Sequence, residues 1–152
     1  MKDNYRKFLK GKRVAVVGPA KSIENSSNGE KIDNHDIVVR LNYAKIKNPK
    51  DSGKRTDVIY YDGSLHNYKV IQPKFVICSY PSTEWFFNAR CARNISYNSA
   101  LYNSLVVDPD IYKNLKFCLD PAMMMRPNTG LISIVDLLTF DIKSLFITGL
   151  DF

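Results

Sequence analysis

The sequence predicts an α/β domain in which a mostly parallel sheet has helices on both faces. Two observations predict it. Six short apolar runs, rich in β-branched residues and bounded by polar or turn residues, recur along the chain as buried strands do. Between several of them lie segments with helical caps and spacing, and alternating strands and helices imply parallel pairing through crossover connections. No internal repeat or low-complexity linker divides the chain, so residues 1–152 are read as a single domain.

The elements follow in order. Lys2, Arg6, Lys7, Lys10, Lys12 and Arg13 form an N-terminal basic cluster, read as a solvated tail or outer helix face rather than a nucleic-acid or membrane contact. The first apolar run, 14–17, ends on Gly18, where the missing Cβ lets backbone approach a ligand closely. Pro19 and Ala20 follow and the next glycine is Gly29, so the dinucleotide fingerprint is absent and a dehydrogenase is disfavoured. Pro19 also removes one N–H from the turn. Runs at 37–41, 58–61 and 75–78 read as further buried strands. Residues 82–93 open with hydroxyl side chains and close with Arg90 and Arg93, which suits a helix dipole. After the run at 105–107, Asp108-Pro109-Asp110 imitates a divalent-cation site, but a proline in the first turn reads as a helix start. Residues 128–140 place apolar side chains at 131, 132, 134, 135, 138 and 140, a broad face suited to packing on a sheet, and the last strand is expected at 145–148.

Composition narrows the class. With 45% hydrophobic and 24% charged residues, collagen, a disordered tail and a disulfide miniprotein are excluded. A net charge of +7 favours an anionic ligand. Cys78, Cys91 and Cys118 are too few for a disulfide framework and form no metal-spaced pair, so they are read as reduced, mostly buried thiols. Residues 1–13 lack a signal-peptide pattern and no apolar run is long enough to span a bilayer; a cytoplasmic protein without a membrane span is expected. In such folds ligands sit beyond the carboxyl ends of the strands, which singles out Gly18, Asn42, Asp62, Ser79, Tyr80, Asp108 and Asp151.

Two blocks sharpen this. The first comprises the strand ending at Gly18, then Gly29, the run Ile32-Asp33-x-His35-Asp36-x-Val38-x-Arg40-x-Asn42, and Asp51-x-Gly53 followed by Thr56. This stretch, 14–56, resembles the large sialylmotif of family 29 glycosyltransferases, the sialyltransferase family. The second, 126–149, contains Arg126-Pro127-Asn128-Thr129-Gly130, an apolar helix and a strand ending in Gly149, and resembles the small sialylmotif, with Asn128 in place of the usual serine. Asn128 is a competent helix cap, and the Thr129 and Gly130 N–H groups lie at the positive end of that helix.

The resemblance implies a Rossmann-like sheet, a GT-A-like variant, and inverting transfer of sialic acid or a related acidic keto sugar from a cytidine-monophosphate (CMP) sugar to a glycan hydroxyl. It implies no metal and no cofactor beyond that CMP-sugar donor. Residue by residue, it places Gly18, Ser22 and Asn42 on the donor, joined by Asn128, Thr129 and Gly130 from the small motif. Pro19 stands where many relatives have asparagine. Val14 and Phe140 stand where the animal enzymes have their linking disulfide, which fits a reducing compartment. The family's catalytic histidines are expected beyond the small motif, and no residue of the chain matches them.

Other residues have plainer readings. His35 is expected to be a structural hydrogen-bonding residue and His66 a loop residue near the crevice. Met123–Met125 reads as flexible packing, and Asp36 with Arg40 as a structural ion pair. Tyr60, Tyr61, Tyr68, Tyr80, Trp85, Phe86 and Phe87 would stack bases if exposed, yet their settings favour burial. Two alternatives to the transferase stand beside it: a nucleotide-binding module without transferase activity, and a basic nucleic-acid-binding domain, the latter disfavoured.

Overall fold

The β-branched runs form six strands: β1 (Arg13–Val17), β2 (Ile37–Leu41), β3 (Val58–Tyr61), β4 (Phe75–Cys78), β5 (Ser104–Val106) and β6 (Ser144–Thr148). They are seen in a computed structural model that describes residues 1–43, 45–64, 68, 71–80, 89–119 and 126–151. The order is β5-β4-β3-β2-β1-β6, and every neighbouring pair is parallel. The chain therefore steps outward in one direction from β1 to β5, then returns to the other side of β1 to lay down β6. That reversal is the topological switch point, where open α/β sheets leave a crevice.

Alternation along each strand divides the core. Val14, Val16, Ile37, Val39, Val58, Tyr60, Phe75 and Ile77 face one side, where α1 (Lys2–Leu9), α5 (Pro109–Leu119) and α6 (Thr129–Leu138) contribute Tyr5, Leu9, Tyr112, Ile132 and Leu137. Ala15, Val17, Val38, Ile59, Tyr61, Val76 and Cys78 face the other side. There Ile32 of α2 (Gly29–Asp33) and Ile95 of α4 (Ala89–Leu101) pack upon them. A short helix, α3 (Pro49–Ser52), leads into β3.

The N-terminal basic cluster is in part a helix face: Tyr5 and Leu9 turn inward while Lys2, Arg6 and Lys7 stay exposed. Asp108 starts a helix as expected, its carboxylate accepting the Asp110 N–H at 3.1 Å and pairing with Lys2 rather than marking a cation site. Two elements differ most from their expected bounds. β5 lies one position earlier than 105–107, because Ser104 pairs with Val76, and Val107 is buried just past its end. The helix expected at 82–93 is described from Ala89 and continues past Arg93 to Leu101; 82–88 lie outside the described residues. Its extension is masked in sequence because buried Asn94 and Asn98 stand where an apolar stripe would be. Cys78 is buried, but Cys118 is exposed, since α5 turns Tyr112 and Lys116 inward and the next residues outward. Among the described residues no helix is long and apolar enough to cross a membrane.

Candidate functional site

The site begins where β1 and β6 end. The Gly18 N–H donates to the Thr148 carbonyl at 2.9 Å and the Ala20 N–H to the Gly149 carbonyl at 2.9 Å, so the turn after β1 is tied to β6. Gly149 is left-handed (φ 67°), and a Cβ on Gly18 would stand 2.2 Å from the Gly149 oxygen. Only glycine fits there. With these N–H groups engaged and Pro19 having none, this turn is not a phosphate cradle.

Beside it lies a cavity of about 470 Å³, lined by Val17 to Ala20, Ile23 and Glu24 from the β1 side and by Arg40 to Tyr43, Lys45, Lys47, Asn48, Asp51 and Ser52 from the β2 side. Its size is that of small-ligand pockets. The large-motif residues build its wall. Asp33 accepts the N–H groups of Lys54 and Arg55 at 3.0 and 3.1 Å. Asp51 accepts the Ser27 N–H at 3.0 Å and the Asn48 amide at 2.7 Å; the Ser27 bond is the main cause holding its carboxyl below the usual range. A Cβ on Gly29 would stand 2.0 Å from the Pro49 oxygen, so α2 and α3 meet backbone to backbone.

Arg40 is 2% exposed. Its guanidinium donates to the carbonyls of Ser52 and Arg55 at 2.8 and 3.0 Å and to Thr56 Oγ1 at 2.9 Å; burial pulls its pKa down to about 10. Its expected pairing with Asp36 is not found. Asp36 binds Arg13 instead, through the Arg13 N–H at 2.8 Å and the guanidinium at 3.4 Å. The reason is geometric: Asp36 precedes β2 and Arg40 stands near its other end. His35 is structural, its Nδ1 lying 2.8 Å from the Lys31 carbonyl and its ring stacked on Phe146.

Asn42 is clamped through its backbone. Its N–H donates to the Tyr60 carbonyl at 2.7 Å, its own carbonyl accepts from the Tyr68 hydroxyl at 2.9 Å, and its φ is 50°. Asparagine tolerates this left-handed geometry. Its side-chain Oδ1 is buried without a hydrogen-bond partner among the described residues, at the cavity wall.

Gly18 and Asn42 thus meet in one cavity. Ser22, exposed on a turn of 3₁₀ helix, is not part of its lining, although the neighbouring Ile23 and Glu24 are. Asn128 caps α6 by accepting the Leu131 N–H at 2.8 Å. Asn128, Thr129 and Gly130 do not line the cavity, but a Cβ on Gly130 would stand 3.4 Å from Leu41, which does. The amino end of α6 therefore opens next to the cavity, with Leu41 and Leu150 around it. The Tyr80 hydroxyl donates to the Pro127 carbonyl at 3.2 Å and fixes the entry to α6. Sequence reasoning passed over Glu24, Lys45 and Lys47, whose signal is their closeness to Gly18 and Asn42 along the chain. Tyr60, Tyr61, Tyr68 and Tyr80 are buried and form no base-stacking platform. His66, Met123–Met125 and 85–87 lie outside the described residues.

The profile of glycosyltransferase family 29 (sialyltransferase) matches residues 3–138. A CMP-N-acetylneuraminate-beta-1,4-galactoside alpha-2,3-sialyltransferase of Homo sapiens is 40% identical over 60 residues, covering 38% of this chain and 16% of that protein. A mammalian sialyltransferase solved in complex with Gal-beta-1-3GalNAc-ortho-nitrophenol shares the fold with a TM-score of 0.66 at 17% identity, over 95% of this chain and 57% of that one. The sialyltransferase CstII from Campylobacter jejuni, solved with the substrate analogue CMP-3FNeuAc, gives a TM-score of 0.64 at 18% identity, over 93% of this chain and 65% of that one. The chain spans less than two thirds of the length of each of these relatives. With the profile matched over most of its length, on a parallel sheet whose motif residues frame a switch-point cavity, the chain belongs to glycosyltransferase family 29, the sialyltransferases.

Proposed function

We propose that the cavity binds the CMP moiety of a CMP-sugar, and that the protein serves inverting transfer of sialic acid or a related acidic keto sugar to a glycan hydroxyl. In that reaction the acceptor oxygen attacks the anomeric carbon, the bond from that carbon to the phosphate oxygen breaks, CMP departs, and the hydroxyl proton passes to a base. The observation that supports this reading best is Asn42, a family-motif residue lining the cavity, rigid in its backbone and with a buried side-chain oxygen that has no hydrogen-bond partner among the described residues. An exocyclic amine or hydroxyl of the ligand is its natural partner. Gly18 contributes the tight turn that ties β1 to β6 beside the cavity, and Thr129 and Gly130 the positive end of α6, so this chain's part in catalysis is positioning. The reading calls for no metal and no cofactor besides the donor. A reducing, cytoplasmic setting belongs to it, with Val14 and Phe140 standing where the animal enzymes have their linking disulfide.

The test is calorimetric titration with CMP, with uridine monophosphate and an oligonucleotide as controls. Selective CMP binding is expected, and Asn42→Gly, which keeps the left-handed backbone while removing the amide, should weaken it about tenfold, as loss of one good hydrogen bond would. Equal affinity for CMP and uridine monophosphate would overturn the donor assignment.

A further inference from the structure

Among the described residues three cations line the cavity, and they are not equivalent. Arg40 is engaged by the Ser52 and Arg55 carbonyls and Thr56, which fixes its guanidinium in the wall. Lys47 lies 3.5 Å from Glu24, an ion pair that joins the β1 side of the cavity to the β2 side. Lys45 has no ion-pair partner among the described residues. Of the lining carboxylates, Asp51 is held by Ser27 and Asn48, so Glu24 is the one whose charge bears on a ligand. The turn after β1 offers no free N–H at Gly18 or Ala20, so besides the positive end of α6 next to the cavity, the countercharge for an anionic group here comes from the lining side chains.

We propose that Lys45 binds the phosphate of the CMP moiety, and that Glu24, by holding Lys47, keeps the cavity's second mobile cation from doing the same. This rests on the donor reading and deepens it: Lys45 and Glu24 set how strongly the cavity distinguishes a nucleotide from its nucleoside. Both side chains reach into water, so their influence is electrostatic and falls with added salt.

The experiment is calorimetry with CMP and with cytidine, at low and high salt, on the unsubstituted protein, Lys45→Met and Glu24→Gln. Lys45→Met should weaken CMP about tenfold, the scale of one charge-assisted hydrogen bond, leave cytidine unchanged and flatten the salt dependence. Glu24→Gln should tighten CMP about threefold by releasing Lys47, again without effect on cytidine. A gain of affinity is an outcome that misfolding does not produce. If the unsubstituted protein binds no CMP, the donor reading itself fails and this inference falls with it. If it binds CMP and Lys45→Met leaves that affinity unchanged, or weakens cytidine equally, this inference alone is overturned.

Discussion

The Tyr60 hydroxyl donates a hydrogen bond to the Asp136 carboxylate at 2.5 Å, joining β3 to α6 inside the core, and the Tyr5 hydroxyl stands 3.2 Å from that of Tyr60. Burial is the main cause that raises the Asp136 pKa, opposed by the Tyr60 bond. A raised carboxyl means the folded state holds its proton more tightly than the unfolded state, so Asp136 lowers stability progressively as pH rises through its folded pKa. Asp36, Asp51 and Asp108 have lowered values, and the stability they contribute is present above the usual carboxylate range and lost as pH falls. Asp136→Asn keeps an acceptor for Tyr60 and removes the buried charge. Its stability relative to the unsubstituted protein should therefore improve as pH rises above the usual carboxylate range, in urea unfolding at each pH. A difference that does not vary with pH would refute this assignment. Tyr60→Phe strands the carboxylate and should cost about 1–3 kcal/mol.

Gly18→Ala drives a methyl onto the Gly149 oxygen and Leu150. Because the obstacle includes backbone, β1 and β6 must part, at about 1–3 kcal/mol, with loss of CMP binding. Gly11→Ala is the control: it meets nothing within 4 Å and bears only its left-handed φ of 68°, about 1–2 kcal/mol. CMP titration of both variants separates them, since only Gly18→Ala should impair binding.

Arg40→Met should act on stability first. It leaves the Ser52 and Arg55 carbonyls without their guanidinium donor, at about 1–3 kcal/mol for each acceptor stranded in the interior. Arg40→Lys should rescue it poorly, because one ammonium cannot reproduce the planar fork. Denaturant midpoints check this, and a midpoint equal to that of the unsubstituted protein would show the arginine to be dispensable to the wall.

Asn128→Ala removes the α6 cap and should cost about 1 kcal/mol, whereas Asn128→Ser, the residue usual in the family motif, should be nearly neutral. Thermal melts of the two variants supply the comparison.

Strands such as Ile37–Leu41 and Val58–Tyr61 were legible because a parallel strand buried on both faces needs a continuous apolar run. Their order was not, since nothing local distinguishes β6 beside β1 from β6 beside β5. The motif blocks marked the right end of the sheet, yet the roles within them needed geometry. Arg40 and Asp36 are close in sequence but lie towards opposite ends of β2, and Arg40 sustains the wall. Glu24, Lys45 and Lys47 look like ordinary solvated loop charges until the cavity draws them together. The reach of α4 to Leu101 stayed hidden because Asn94 and Asn98, polar types, occupy its buried face, Asn94 donating to the Gly63 carbonyl at 3.0 Å.

The pairing of Gly18 with Gly149 also sets a timetable. β6 is the last of the described strands in chain order, and its turn props the first. During synthesis β1 to β5 emerge, and adjacent strands can pair as they appear, but the turn after β1 has no support until β6 has been made and carried back across the sheet. Contacts of such sequence separation form slowly, because the intervening chain must be ordered first. Among the described elements the ligand pocket is thus formed late, and ligand binding by a nascent chain would report the arrival of β6 beside β1.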